Sequence, residues 1–294
     1  MDILSVILLL AAADRDDGLA KKMLPIYLKE ASEYSMAVES APEKKLDLKK
    51  EPVFEWSNPV RGQHQQGVVF LWLRDGRPAA LGSIWSEPDG DLPRRRVYHE
   101  FHALDRARLL VSRPDALNEW NPQVGLVRKE IPEAGSPAAT AGARLVQMKR
   151  LAQLFTGYET DAEEKRWELR LLPAPLYRYT SAKSDVMDGA LFTLVSNAGT
   201  DPEVLLLIEA RKDGDKTRWE YACGRFSDRD LHVQYKDTEV WSSIRGENDT
   251  YHHDLQHLYR IYADKIVSLD GKLLARVRTS PPLWRVEVLP VDEK

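Results

Sequence analysis

Polar and apolar residues alternate in several short stretches of the chain, and this period of two predicts strands with one buried face. RWELRL (166–171) and VYHEFHAL (97–104) alternate in this way. EVLLLIEA (203–210) is apolar without alternation, which predicts a central strand covered on both faces. Short clusters of turn residues separate such stretches. We therefore expect antiparallel hairpins, because parallel strands need crossovers of about a dozen residues or more.

Two other stretches have the spacing of helices. Residues 20–28 place Leu24 and Leu28 one turn apart, and residues 139–155 carry an i, i+3, i+4 stripe of apolar side chains. Each stretch leads into a strand start that bears an aromatic residue, YSMAVE after the first and FTGYET after the second. The order of one helix followed by strands therefore occurs twice.

The two occurrences are separated by 121 to 123 residues. Pro52 precedes VFEW and Pro175 precedes LYRY 123 residues later, and GVVFLWL begins at Gly67 and GALFTLV at Gly189, 122 residues later. We therefore expect an α+β fold class with two tandem pseudo-repeats, each a helix packed on a curved antiparallel β-sheet. The alternative, that two unrelated antiparallel segments align loosely by chance, stays open at this point.

The N-terminus is strongly apolar. Residues 3–13 (ILSVILLLAAA) carry no charge and are followed at once by DRDD, which matches the apolar region and the cleavage site of a secretory signal. The stretch is too short to span a bilayer, so we do not expect an integral membrane protein. We expect a periplasmic or secreted location. No Lys or Arg precedes the stretch, so a buried N-terminal helix in a cytoplasmic protein is the alternative.

A stretch rich in Pro, Gly and small residues lies between the two halves and is the expected linker. It has the composition of a connection rather than of a helix or a strand. These signals divide the chain into a signal peptide at 1–13, a first α+β repeat at 14–125, a linker at 126–137 and a second α+β repeat at 138–294.

Composition narrows the functional class. Hydrophobic residues make up 43% and charged residues 30% of the chain, which is typical of a globular protein. Lys and Arg number 42 against 46 Asp and Glu, and no basic face stands out, so we expect no nucleic-acid partner. Cys223 is the one cysteine, which excludes an intramolecular disulfide and a Cys-based metal site. Its place in TRWEYACGRF predicts a small buried hydrophobe.

Four stretches carry a family resemblance: NPVRGQHQQGVVFLWLRDGRP, YHEFHAL, RWELRLLPAPLYRY and DGALFTLVSNAGTDPEVLLLIEARK. They resemble an uncharacterised family of exported proteins from planctomycete-type bacteria, and the similarity runs from about Leu19 to Tyr262. The resemblance implies a shared fold and export. The family has no established activity, so no functional residue is carried over from it.

The stretch YHHDLQHLY (251–259) holds two histidines at a spacing known from metal sites. His253 and His257 are four residues apart with Asp254 between them, and on a helix both imidazoles would share a face, as in the zinc-binding HExxH motif. Asp is shorter than the Glu that serves as general base in that motif, and strand-like residues follow. His253 and His257 are therefore weak candidates for metal ligands, and an exposed polar loop is the plainer interpretation.

A second pair lies on the strand YHEFHAL, where Glu100 and His102 point to the same side. Glu100 could fix the tautomer of His102 and orient it as a general base. Glu100 and His102 are therefore weak candidates for catalysis, although no G-x-S-x-G nucleophile motif accompanies them. A hydrogen bond between a carboxylate and an imidazole of neighbouring strands is the plainer interpretation.

The chain is rich in aromatic residues, with 8 Trp and 11 Tyr, which could line a pocket for an apolar or sugar-like ligand, although core packing explains most of them. No P-loop, dinucleotide fingerprint or EF-hand loop occurs, so no cofactor is predicted. We expect an exported, non-enzymatic binding or structural module of the cell envelope, with an envelope partner or a small apolar ligand. The alternatives are a hydrolase, metal-dependent or not, that uses these histidines, and a lipid or small-ligand carrier.

Overall fold

The computed structural model describes residues 3–58, 64–90, 93–123, 126–181, 185–197, 199–245, 255–280 and 285–290, without the side chains of 3–17, 279–280, 285–286 and 290. The helices in these ranges are α1 (Ile3–Ser32) and α2 (Ala141–Ala152). The strands are β1 (Ser35–Val38), β2 (Ala41–Lys45), β3 (Asp47–Leu48), β4 (Phe54–Asn58), β5 (Gln65–Arg74), β6 (Arg77–Pro88), β7 (Arg94–Ala103), β8 (Leu109–Ser112), β9 (Lys129–Glu130), β10 (Phe155–Thr160), β11 (Arg166–Leu171), β12 (Tyr177–Tyr179), β13 (Val186–Ser196), β14 (Pro202–Asp213), β15 (Lys216–Arg225), β16 (Asp230–Tyr235), β17 (Thr238–Ser243), β18 (Tyr259–Ser268), β19 (Leu273–Ser280) and β20 (Arg285–Pro290).

The expected fold class is wrong. Of the residues whose side chains are described, 55% lie in strands and 11% in helices, so the protein is mainly β rather than an α+β pair of helix-on-sheet repeats. The strands form three antiparallel sheets. The first sheet has the order β20-β19-β18-β7-β6-β5-β3 with β4 beside β5, and the second sheet has the order β17-β16-β10-β11-β13-β14-β15-β9 with β12 beside β13. A small sheet has the order β2-β1-β8.

The correction has a physical reason in how the sheets are covered. Each large sheet packs one face against the other sheet, and their shared core contains Leu71 and Leu81 from the first sheet and Leu191, Leu205 and Leu207 from the second. The opposite face of each sheet holds a separate core that includes buried side chains of one helix. Because the other sheet covers one face, a single helix contributes to the cover of the opposite face, and strand residues dominate.

β14 is the clearest example of a strand that is covered twice. Its residues are buried continuously from Pro202 to Arg211, which confirms the prediction made from the unbroken apolar run EVLLLIEA. The sequence therefore identified a central strand correctly but not the second sheet that covers it.

Two glycines occupy matching places in the hairpins of the two large sheets. Trp56 of β4 lies opposite Gly67 of β5, and Tyr179 of β12 lies opposite Gly189 of β13. A Cβ at Gly189 would come within 2.5 Å of the Tyr179 ring, and a Cβ at Gly67 within 2.3 Å of the Cβ of Trp85. Only glycine leaves room for these close approaches.

The C-terminal strands return to the first sheet. β18 pairs with β7, and β19 and β20 continue the sheet beyond it. The sequence interpretation placed this stretch in a second repeat at 138–294, with 14–125 as the first repeat and 126–137 as the linker. Those boundaries stay a prediction. The pairing of β18 with β7 joins residues far apart in the sequence, and local periodicity does not indicate such a pairing.

The N-terminal stretch belongs to α1, which runs from Ile3 to Ser32 and buries Met23, Tyr27 and Ala31 against the first sheet. In the part of the chain that is described, no helix has the length and apolarity needed to cross a membrane. Nothing in the structure supports the signal peptide expected at 1–13 or the periplasmic or secreted location. Both stay predictions.

Candidate functional site

Both large sheets are curled, and strands approach without pairing at two gaps. The first seam, as we call the gap between β8 of the small sheet and β18 of the first sheet, is bridged by Arg113, which follows β8 and donates to the carboxylate of Asp264 on β18 at 2.9 Å. The second seam is the gap between β9 and β17, the two ends of the second sheet, where Lys129 Nζ donates to the carbonyl of Val240 at 3.1 Å. The two seams differ in what fills them.

A cleft of about 500 Å³ opens at the second seam, and we call it the seam cleft. Residues from β7, β9, β15, β17 and β18 converge there because the curl brings both ends of the second sheet next to the first sheet. The residues that line it are His102, Leu126, Val127, Lys129, Tyr221, Cys223, Gly224, Arg225, Val240, Trp241, Ser243, Gln256, His257, Leu258 and Tyr259.

His102 is a buried polar group of the seam cleft. Its Nδ1 lies 2.8 Å from the carbonyl of Ala103, which can only accept, so Nδ1 carries the proton and Nε2 is the acceptor. Burial lowers the pKa of His102 to about 3, helped by the charges of His257 and Arg225, so the ring is neutral at physiological pH. The ring lies against Gly224, where a Cβ would come within 3.0 Å of Nε2.

Cys223 and Tyr221 lie on one face of β15 and both line the seam cleft. Cys223 is buried, as its place in TRWEYACGRF predicted. Burial raises the pKa of the Cys223 thiol to about 12, against a smaller opposing effect of Lys129. The sulfur is therefore protonated and contributes apolar surface, because the thiolate is the reactive form of cysteine.

Glu100 and His102 do not pair with one another. The carboxylate of Glu100 accepts a hydrogen bond of 2.7 Å from the hydroxyl of Tyr259, whereas His102 bonds to the Ala103 carbonyl. Burial raises the pKa of Glu100 well above its usual value, and the nearby Glu203 carboxylate adds to this shift. The proposed orientation of His102 by Glu100 therefore has no hydrogen bond to carry it in the described structure.

Of the two candidate metal ligands, His253 lies outside the described residues. His257 lies in the seam cleft, where its Nδ1 accepts a hydrogen bond of 3.3 Å from the backbone N–H of Tyr259. Residues 255–258 form turns and bends ahead of β18 rather than a helix, in line with the loop interpretation. The pairing of His253 with His257 on one metal ion stays a prediction.

Sequence reasoning missed a cluster at the first seam. The Nε2 atom of His99, which is fully buried, lies 3.6 Å from Glu30 Oε2 and 3.9 Å from Asp264 Oδ2. These three atoms are close enough to hold a metal ion, and Nε2 has no hydrogen-bond partner. The cluster brings together α1, β7 and β18, so no local sequence pattern could have revealed it.

The cations of the cluster argue against a metal. Arg113 Nη2 donates to Glu30 Oε2 at 2.8 Å and to Asp264 Oδ2 at 3.0 Å, the same two oxygens that a metal would need. Arg113 Nη1 also donates to His99 Nδ1 at 3.2 Å, so the proton of the neutral ring lies on Nε2. An ion there would displace that proton and face a guanidinium, which indicates an ion-pair network instead.

No family model, curated protein or solved structure matches the chain, so the assignment of a site depends on geometry alone. The resemblance to exported proteins of planctomycete-type bacteria stays a prediction.

Proposed function

We propose that the protein is a non-enzymatic binding module and that the seam cleft is its ligand site. The observation that carries the proposal is the cleft itself: about 500 Å³, with the aromatic rings of Tyr221, Trp241 and Tyr259 beside the buried polar groups His102 and Arg225. Small-molecule sites have volumes of about 300–1,000 Å³ and combine apolar walls with a few convergent polar groups.

The rim of the seam cleft supports the proposal. Val127 lines the cleft and is 68% exposed, so the cleft offers a ligand apolar surface that is open to water.

The titratable groups of the seam cleft support binding rather than catalysis. A general base works best with a pKa near the operating pH, and a nucleophilic cysteine needs a lowered pKa. Burial lowers the pKa of His102 to about 3 and raises that of Cys223 to about 12. At pH 7 the imidazole and the thiol are therefore both uncharged, and neither has a pKa near the operating pH. The walls therefore offer shape and hydrogen bonds rather than activated groups.

The test is a fluorescence titration with N-phenyl-1-naphthylamine, a neutral apolar probe. We expect saturable binding to the full chain and about tenfold weaker binding by Val127→Asp, because a charge would replace apolar surface at the mouth. The matched control is Val146→Asp, which alters a half-exposed valine on α2 and should bind like the wild type. No binding by the wild type, or equal losses in both variants, would contradict the proposal.

A metal-dependent hydrolase is the second candidate, favoured by the unpartnered His99 Nε2 between Glu30 and Asp264. Elemental analysis after equilibration with Zn²⁺ distinguishes it. We expect no stoichiometric zinc, because Arg113 occupies the carboxylates. Zinc that is retained by the wild type and by a surface variant, His232→Ala, but lost by His99→Ala would establish the metal site instead.

A further inference from the structure

The seam cleft has an unusual charge for this chain. Its described lining residues include the cations Lys129 and Arg225 and no carboxylate, although the chain as a whole has a net charge of −4. A neighbouring cleft of about 220 Å³ that shares Tyr259 has the opposite character, and its lining includes Glu100, Asp201, Glu203 and Asp228. An anionic group would therefore be attracted to the seam cleft and repelled from its neighbour.

Lys129 provides a charge that can act on a ligand. It is exposed on the two-residue strand β9, and its described hydrogen bond is to the neutral carbonyl of Val240. A lysine ammonium has three donors, so this bond leaves donors available. The charge reaches the cleft wall, since Lys129 opposes the burial-driven rise in the pKa of Cys223.

Arg225 adds a second, fixed positive charge. Its Nη2 donates to the carbonyls of Arg229 at 2.9 Å and Ser243 at 2.7 Å, which holds the guanidinium at the wall formed by β15 and β17. The effect of this charge on the pKa of His102 shows that it acts inside the cleft. Because His102 is neutral, it adds no charge of its own to that of the two cations.

We infer that the ligand of the seam cleft is an amphipathic anion, with an apolar body between Tyr221 and Trp241 and an anionic oxygen group that pairs with Lys129. The inference rests on the proposed function and adds the ligand class. The apolar walls alone would accept any apolar body of suitable size, whereas the cations select one that carries a carboxylate, sulfonate or phosphate.

The experiment compares two probes that differ by one charged group. 8-Anilinonaphthalene-1-sulfonate and N-phenyl-1-naphthylamine share the same aromatic body, and only the first carries a sulfonate. We expect Lys129→Gln to weaken binding of the sulfonate about tenfold and to leave binding of the neutral probe within about twofold, because a charge-assisted contact is lost. Lys129→Arg keeps the charge and should retain sulfonate binding.

The matched control is Lys236→Gln, which removes an exposed lysine of the same region that pairs with Glu133 rather than facing the cleft. It should change neither affinity. Displacement of the sulfonate probe by 1-naphthoate or by 1-naphthyl phosphate would show which headgroup is preferred, and either result supports the inference.

The failures are distinguishable. If the neutral probe binds but Lys129→Gln leaves sulfonate binding unchanged or weakens both probes equally, the inference is wrong and the proposed function stands. Failure of both naphthyl anions to displace the probe also overturns the inference. If neither probe binds the wild type, the proposed function fails and the inference fails with it.

Discussion

The two seams hold opposite chemistry. At the first seam, Arg113 has 7% of its side chain exposed and donates to the carboxylate of Asp264 at 2.9 Å. At the second seam, the exposed Lys129 donates to the neutral carbonyl of Val240 at 3.1 Å. The first seam is therefore bridged by a buried ion pair, and the second by an exposed lysine on an uncharged acceptor.

The strand that lies next to β7 in the first sheet differs from the strand that lies next to β15 in the second sheet, and this explains the difference. β18 continues the first sheet past β7 and brings Asp264 and Tyr262 to the first seam, where they bond to Arg113 and Tyr34. The second sheet continues past β15 only with the two-residue β9. A cleft of about 410 Å³ lies at the first seam as well, but its lining includes Tyr34, Arg113 and Tyr262 of the buried network. The seam cleft is lined instead by the short strand β9 and by β17, which the bond from Lys129 to Val240 connects. The seams therefore differ in the charged network at the first seam rather than in the presence of a cleft.

The largest expected loss of stability comes from breaking the ion pairs of Arg113 at the first seam. Arg113→Ala leaves the buried carboxylates of Glu30 and Asp264 without their guanidinium, and breaking a buried pair in this way costs about 3–5 kcal/mol. Urea unfolding at pH 7 measures the change. Arg108→Ala, which removes a partly exposed arginine paired with Glu39, should cost less than about 1 kcal/mol. Similar losses for both variants would show that the network does not hold the first seam.

The second prediction concerns the glycines that occupy matching places in the two large sheets, Gly67 and Gly189. Gly189→Ala would place a Cβ 2.5 Å from the Tyr179 ring, and overpacking of this kind costs about 1–3 kcal/mol. We expect the upper end of that range in a thermal or urea unfolding measurement. Gly142→Ala is the control, because its Cβ meets nothing within 4 Å and alanine favours α2. Equal stabilities of the two variants would contradict the close packing.

Local patterns in the sequence identified much of the secondary structure. The helical spacing of 139–155 corresponds to α2, and the alternation in RWELRL corresponds to β11. Periodicity reports which faces are buried and not what covers them. The helices were therefore assigned as the covering layer of an α+β fold, although the second sheet provides most of that cover.

Pairs far apart in the sequence explain why the site could be predicted only in part. His102 and His257 were named and both lie in the seam cleft, but Glu100 bonds to Tyr259 rather than to His102. Lys129 became a site residue only because the curled sheet brings β9 to β17. No spacing along the chain encodes such contacts, since sheet curl sets them rather than local period.

The third prediction compares the buried histidines His99 and His102, one at each seam, whose pKa values burial lowers to about 3. The unfolded chain takes up these protons near pH 6.5, so the stability that each neutral ring provides is complete above that pH and is lost as the pH falls towards 3. From pH 7 to pH 5 we expect each to lose about 2 kcal/mol.

The change is measured as a double difference for the second seam. The unfolding free energies of the wild type and His102→Gln, each at pH 7 and pH 5, isolate the histidine from Glu100, whose raised pKa acts with the opposite sign. The gap between the two proteins should shrink by about 2 kcal/mol on acidification. A gap that is independent of pH would mean that His102 titrates normally and is not held neutral in the cleft.

The smallest expected effect is at the bridge of the second seam. Lys129→Ala removes an exposed side chain whose described bond is to a carbonyl, so the urea midpoint should shift by less than the equivalent of about 0.5 kcal/mol. Arg113→Ala at the first seam provides the contrast, since both variants remove the side chain that bridges a seam. A large loss for Lys129→Ala would mean that its bond to Val240 stabilises the second seam much as Arg113 stabilises the first.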